Sequence, residues 1–328
     1  MERMPVLAEL GIKREVHGAI SHPPDGNPLI GPVAGVKNYW CCCGTQIGIG
    51  WGPGLTRELA RWMVHGAADI QMRGFDPRRF GDYAGRGFLI EKNEEAYAKV
   101  FTVHYPDEER EAGRALRRTP CYDRMKALGA VFGSVFGWER PNWFAPEGYV
   151  LSEADLDKPD VLLNDNHPVV ADQPIREKWS FRRSNYFEHV GNECRHVHEK
   201  VGIQDMSAFA KCEISGPGAE AWLDQLLTNA VPKKVGRVTL SYLLTNKGGV
   251  RSEFTVYKAA PQRYYLVSAG AYERHDHDYL KKALPRDGSV NFERLTTAMG
   301  VLVLAGPRSR DVLRSLPIPT YPMTPSHG

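Results

Sequence analysis

Nowhere in this 328-residue chain is there a run of about 18 apolar residues, so no transmembrane helix is expected. The first residues, MERMPVLAELGIKREVHG, lack both the apolar core and the small-residue cleavage site of a secretory signal. An excess of one charge is missing too. Lys plus Arg number 42 against 39 Asp plus Glu, a net of +3, which argues against a nucleic-acid partner held by electrostatics. Cysteine is scarce, at six residues (41, 42, 43, 121, 194 and 212) with no CxxC pair. That suggests neither a zinc knuckle nor a disulfide framework, and a reducing compartment, cytosol or organelle matrix, is expected. No repeat of fixed period is visible. The 42% apolar and 25% charged fractions are ordinary for a globular chain long enough for two domains.

Turn chemistry is dense at Pro23-Pro24-Asp25-Gly26-Asn27-Pro28. A short run, Asn38 to Cys43, reads as a strand buried on both faces. A glycine loop, 44–54, then precedes a helix whose apolar face is Leu55, Leu59, Trp62 and Met63, ended by Gly66. Thr119-Pro120 predicts a second helix with an N-cap and Pro at its first position, with Tyr122, Met125 and Leu128 facing inward and Gly129 as its end. From 179 the pattern is α+β. Helices are expected around Val190–Val201 (stopping at Gly202), after Pro217 and over 271–284, and strands over 238–244, 252–257, 263–269 and 300–305. Residues 151–178 are polar and read as a connector, and the chain closes on four prolines between 317 and 325.

Three places carry candidate chemistry. The glycine loop allows backbone to approach a ligand closely, and the helix start after it favours an anionic group, although a tight strand–helix connection would need the same glycines. Its spacing does not fit G-x-G-x-x-G, so it is not a pyrophosphate loop by pattern. The second place is Asn246 to Val256, a hairpin around Lys-Gly-Gly. Alternation puts Val250, Ser252, Phe254 and Val256 on one face and Arg251, Glu253 and Thr255 on the other. Glu253 is then either part of a solvated strand face or, facing a cavity, a proton acceptor or an anchor for an amine or amide. The third place is the histidines at 196 and 198 and at 275 and 277. Residues two apart on a helix diverge, so no metal site is expected. The arginines of 110–118, interleaved with Glu108, Glu109 and Glu111, read as a salt-bridged surface, and Trp138, Trp143 and Phe144 as core or interdomain contacts.

Together these segments resemble one enzyme family. Asp25 to Pro32, Lys37-Asn38-Tyr39-Trp40, the glycine loop and Leu59-Ala60-Arg61-Trp62 look like the closing segment of D-amino-acid-oxidase-type flavoproteins. Tyr105 to Arg110, Ala112-Gly113-Arg114 and Gly137 to Phe144 resemble the central domain of dimethylglycine and sarcosine dehydrogenases. Ser180 to Phe187 and the chain to about 314, with Lys211, Ser215-Gly216-Pro217 and Ala305-Gly306-Pro307-Arg308, are similar to the start of their aminomethyltransferase-like, tetrahydrofolate-binding domain.

The resemblance implies an α+β chain divided at 1–82 (end of an FAD domain), 83–145 (central domain), 146–178 (connector), 179–314 (first part of the folate domain) and 315–328 (Pro-rich tail). It implies FAD near Thr45, Gln46, Ile47, Gly48, Ile49 and Gly50. It implies tetrahydrofolate near Tyr242, Glu253, Val267, Ser268 and Ala269, with Glu253 as the catalytic candidate. Aminomethyltransferases carry an aspartate where Glu253 stands, and the extra methylene displaces the carboxylate by roughly 1.5 Å. The implied reaction is oxidation of a small N-methyl amine, such as dimethylglycine or sarcosine, by FAD, with the one-carbon unit passed to tetrahydrofolate. Electron-transfer flavoprotein is an implied acceptor, and the cytoplasm, or the mitochondrial matrix in a eukaryote, is the implied location. The family's pyrophosphate loop and flavin-bearing histidine have no counterpart here, which implies a fragment, a mispredicted gene or a split-gene product. A free-standing folate-binding module and a non-catalytic subunit completed by another chain remain open alternatives.

Overall fold

The computed structural model describes residues 4–150, 179 and 181–317. Most of the expected connector and of the Pro-rich tail lies outside the described residues. The first block is a strand pair, β1 (Leu29–Pro32) and β2 (Trp40–Cys43), followed by helix α1 (Gly48–His65). Ile30, Leu55, Leu59 and Met72 form its core, edged by Trp40, Trp51, Trp62 and Phe75. Arg79 fixes the turn before β1 through Asp25, with Nε to Oδ2 at 2.6 Å and Nη2 to Oδ1 at 2.8 Å.

Three expectations fail in this block. The helix begins at Gly48, so most of the supposed glycine loop is helical, with Gly50, Gly52, Pro53 and Gly54 inside it. Glycine and proline disfavour helix, but tertiary packing overrides propensity. Here Trp51 in the first turn sets its ring edge-on against Phe75, 6.3 Å away. The second failure is β2, where Cys42 and Cys43 are exposed rather than buried, because β1 and β2 form only a two-stranded ribbon. Met63 is exposed as well, whereas Leu55 and Leu59 are buried as expected. Gly66 ends α1 with φ 78°, its N–H donating to the Trp62 carbonyl, as the left-handed stop predicts.

The second block holds α2 (Arg86–Ala98), α3 (Tyr122–Ala127) and the hairpin β3 (Ala130–Val135) to β4 (Trp138–Phe144). Helix α3 starts after Cys121 and not at Pro120; Thr119 is buried and its hydroxyl caps nothing among the described residues. Leu128 is exposed. Gly129 turns the chain with φ 88°, and a Cβ there would lie 2.2 Å from the Ala145 carbonyl oxygen. None of the four arginines pairs with the interleaved glutamates among the described residues: Arg114 makes a two-pronged pair with Glu139 and Arg117 reaches Glu273 at 2.8 Å, whereas Arg110 meets His104 and Arg118 donates to the Ala115 carbonyl. Trp143 is buried, stacked against Tyr186 and His189.

The third block runs through α4 (Phe187–Glu199), β5 (Gly202–Asp205), β6 (Ala210–Ser215), α5 (Ala219–Leu226), β7 (Val238–Leu244), β8 (Val250–Ala260), β9 (Arg263–Ser268), α6 (Glu273–Ala283), β10 (Asn291–Arg294), β11 (Leu302–Ala305) and α7 (Ser309–Ser315). Helix α4 ends before Val201, and Gly202 opens a strand instead of closing the helix. Strands β10, β6, β9, β8 and β7 form, in that order, one antiparallel sheet, and β5 pairs with β11. Helices α5 and α6 cover one face of the sheet. Ile214, Trp222, Leu223, Leu243, Phe254, Val256, Tyr264, Leu266 and Leu280 pack between them. Among the described residues, no helix is long and apolar enough to cross a membrane.

Candidate functional site

Strand alternation decides what each sheet face carries. Ser252, Phe254 and Val256 of β8 point into the helix-covered core and are buried, whereas Glu253 and Thr255 are exposed on the opposite face. Register then builds a row across four strands of that open face: Leu240, Thr255, Val267 and Lys211. Beside it, Tyr242 pairs directly with Glu253. On the other side, Tyr257 and Tyr265 stack with ring centroids 6.0 Å apart. The result is a platform of carboxylate, hydroxyl, aromatic and aliphatic groups, with Leu240 and Thr255 open to solvent.

The residues predicted around tetrahydrofolate do not all share this face. Tyr242, Glu253 and Val267 do. The Glu253 side chain has no hydrogen bond or ion pair among the described residues, leaving its carboxylate available. Ala269 is exposed just past the end of β9, where it precedes a 3₁₀ turn. Ser268 points to the helix side, its hydroxyl donating to Asp276 Oδ2 at 2.9 Å.

One further departure has a physical cause. The β7–β8 register shifts so that Leu243 pairs with Ser252 while Leu244 pairs with Val250. Arg251 is the extra residue of this bulge, and a bulge re-aims the side chain it carries. Arg251 therefore leaves the Glu253 face, where alternation alone would put it, and lies over the Tyr279 ring of α6, 4.5 Å from its centroid.

Sequence reasoning missed Lys211 as a site-bordering cation and Asp276 as an organiser. Lys211 is buried, its ammonium donating to the carbonyls of Ser207 and Phe209, both at 2.8 Å, and burial depresses its pKa. Asp276 has 0% exposure; it accepts from the hydroxyls of Ser252 and Ser268, and His275 Nδ1 lies 3.1 Å away. The available signal was the His-Asp-His-Asp run, set aside because its histidines diverge. They do diverge: His275 turns to Asp276, and the His277 ring sits edge-on to Phe292.

Of the residues predicted around FAD, Gln46 donates from Nε2 to the Gly26 carbonyl at 2.6 Å. Ile47, Gly48, Ile49 and Gly50 form the exposed start of α1, where Ile49 is 97% exposed. A Cβ added at Gly48, Gly52 or Gly54 would meet nothing within 4 Å. This end of α1 is therefore bare backbone open to close approach. Among the described residues, no group of three or more His, Cys, Asp or Glu is arranged to hold a metal ion.

The three blocks are tied by buried or half-buried ion pairs, Arg78 to Asp278 and Arg117 to Glu273, and by Lys247 to Asp69 at the surface. Fold and site thus define an α+β protein with an antiparallel sheet that offers one polar, aromatic face for a ligand. The GCVT N-terminal domain model matches residues 121–320, and the FAD dependent oxidoreductase central domain model matches residues 65–119. The chain belongs to the GCVT N-terminal domain family, and in it that domain follows the oxidoreductase central domain.

Mitochondrial dimethylglycine dehydrogenase of Mus musculus is 35% identical over 96% of this chain and 34% of its own length. Mitochondrial sarcosine dehydrogenase of Homo sapiens is 29% identical over 96% of this chain and 36% of its own length. The mitochondrial pyruvate dehydrogenase phosphatase regulatory subunit of Mus musculus is 30% identical over 100% of this chain and 35% of its own length. The chain spans about a third of the length of these relatives.

Proposed function

We propose that this chain is the flavin-to-folate portion of an oxidative N-demethylase, and that the open face of its sheet holds tetrahydrofolate. The observation that carries the reading is the Tyr242–Glu253 couple beside the Leu240–Thr255–Val267–Lys211 row, on the face that α5 and α6 leave uncovered. A flat, amide-bearing ring suits such a surface. The aliphatic and aromatic groups contact its faces, and an unpaired carboxylate accepts from its N–H edge or takes up a proton. Glu253 is the residue placed to do either. Ala269 borders the platform, and Ser268 supports it from behind by anchoring Asp276.

The start of α1 fits one part of a flavin site. In this reading Thr45 to Gly50 bring bare backbone and the positive end of an 18-residue helix toward the ring, an arrangement that favours negative charge there. Bound FAD would supply oxidation of an N-methyl carbon of a small amine such as dimethylglycine or sarcosine. Support for a D-amino-acid-oxidase-type ancestry of residues 1–82 is the strand–strand–helix order together with those glycines. Electron-transfer flavoprotein is the proposed electron acceptor, and the mitochondrial names of the relatives support a matrix location if the source is eukaryotic.

The direct test is anaerobic titration of the purified chain with tetrahydrofolate, followed by tryptophan fluorescence and calorimetry. Saturable binding that Glu253→Gln weakens at least tenfold is expected. A folded chain that does not bind, or that binds equally well without the carboxylate, overturns the assignment. A second reading, a subunit without turnover of its own, is supported by the likeness to the regulatory subunit over the whole chain. Folate binding with no methylenetetrahydrofolate formed from dimethylglycine or sarcosine, even with FAD and an electron acceptor present, would favour it.

A further inference from the structure

A second cavity, unrelated to the open sheet face, lies between the loop 67–76 that follows α1 and the tip of the β7–β8 hairpin. It encloses about 480 Å³, within the usual range of small-molecule sites. Arg73, Arg251, Lys247 and His275 contribute to its wall, as do the acids Asp69 and Asp76. Neither acid serves the two arginines. Asp69 is held by Lys247 at 2.7 Å and by Arg61, and Asp76 makes a two-pronged pair with Arg78.

Arg73 and Arg251 are instead laid on aromatic rings, 3.6 Å from the centroid of Tyr272 and 4.5 Å from that of Tyr279. Such stacking fixes the plane of a guanidinium while leaving its N–H fork free. Neither arginine makes an ion pair among the described residues, and the buried Nε of Arg251 finds no hydrogen-bond partner there. Burial, reinforced by the Arg78 and Arg73 cations and only partly offset by Tyr279 and Asp276, lowers the pKa of Arg251. A buried donor without a partner calls for one. The β-bulge that turns Arg251 out of the Glu253 row delivers it to this cavity.

We propose that the cavity is an oxyanion site, in which the guanidinium groups of Arg251 and Arg73 clamp a carboxylate or phosphate group of a small ligand. Planar forks bind both chemistries in two-pronged fashion, so inorganic phosphate and a dicarboxylate are the probes that separate the sources. The site needs neither flavin nor folate.

The test is calorimetric titration of the purified chain, at constant ionic strength in chloride, with sodium phosphate and separately with disodium succinate. One-to-one saturable binding of at least one probe is expected. Arg251→Gln and Arg73→Gln should each weaken it at least tenfold, while Arg308→Gln, on an exposed helix start, leaves it unchanged. Circular dichroism verifies that each variant is folded. Should Arg251→Gln not fold, phenylglyoxal modification of the unaltered chain decides, and the bound probe must slow modification of Arg251 and Arg73 relative to Arg308. Absence of saturable binding for both probes, unchanged affinity in both folded variants, or no protection of the two arginines overturns the proposal.

Discussion

Tyr242 and Glu253 are directly paired across β7 and β8, side by side on the sheet face opposite the helices. Glu253 is exposed and makes no ion pair among the described residues, so its removal takes away chemistry and almost no stability. Glu253→Gln should leave the melting temperature within about 1 °C and raise the tetrahydrofolate Kd tenfold or more, about 1.4 kcal/mol. Glu253→Asp keeps the charge and should stay within about threefold of the parent. Fluorescence titration of the three proteins checks this. Equal affinity in all three would remove Glu253 from the site.

Arg78 is the joint between the first block and α6. Its guanidinium bonds Asp76 at 2.7 Å and Asp278 at 3.1 Å, with all three side chains nearly sealed from water. Asp278 keeps Lys282 at 2.8 Å when Arg78 is removed, but Asp76 loses its cation, and an uncompensated buried charge costs on the order of 3–5 kcal/mol. Arg78→Met should therefore lower the urea midpoint sharply, and should loosen the 67–76 loop before the sheet core, as hydrogen exchange would reveal. A loss below about 1 kcal/mol would show that water already screens the cluster.

How far such features could be read in advance depends on their range. The alternation of β8 was legible because Ser252, Phe254 and Val256 obey a period of two, and β7 was placed at its observed bounds by the same rule. Gly66 and Gly129 were legible as stops because a left-handed residue after a helix selects glycine. The start of α1 was not legible: Gly48 to Gly54 are poor helix formers, and what orders them is the distant Phe75 against Trp51. Strand β6 and the short strands β5 and β10 went unpredicted because their apolar signal is brief and broken by charge, as in Lys211 and Glu213 of β6. The bulge at Arg251 is set by pairing geometry, which no local pattern carries. The site residues predicted on the open face came from alternation plus resemblance, whereas Asp276 and the Arg73–Arg251 pair emerge only when loops meet helices.

Asp276 supplies a third prediction. Its carboxylate, wholly buried, satisfies the hydroxyls of Ser252 and Ser268 and stands beside His275, linking β8, β9 and α6. Asp276→Ala leaves two hydroxyl donors unpaired in the core and opens a small void. The expected loss is roughly 2–4 kcal/mol in denaturant unfolding. Adding Ser252→Ala and Ser268→Ala should recover part of it, because donors that no longer exist need no acceptor. Simple additivity of the three losses would refute a shared network.

The last prediction concerns acid. His277 is buried on α6 against Phe292, and its Nδ1 has no partner among the described residues. Burial pushes its pKa down to about 4, even though Glu273 pulls in the other direction. In the unfolded chain the same imidazole titrates near 6.5. Between these values the unfolded state binds a proton that the folded state refuses, so stability rises with pH across that window. The contribution is complete above about pH 6.5 and is lost progressively as pH falls toward 4, up to about 3 kcal/mol. Urea unfolding at pH 7.5, 6, 5 and 4.5 should show a steeper acid loss in the parent than in His277→Leu. Carboxylates remote from His277 titrate alike in both proteins, so the difference between the two curves reports the imidazole together with its partner Glu273. Parallel curves would mean that His277 takes up its proton without leaving the fold.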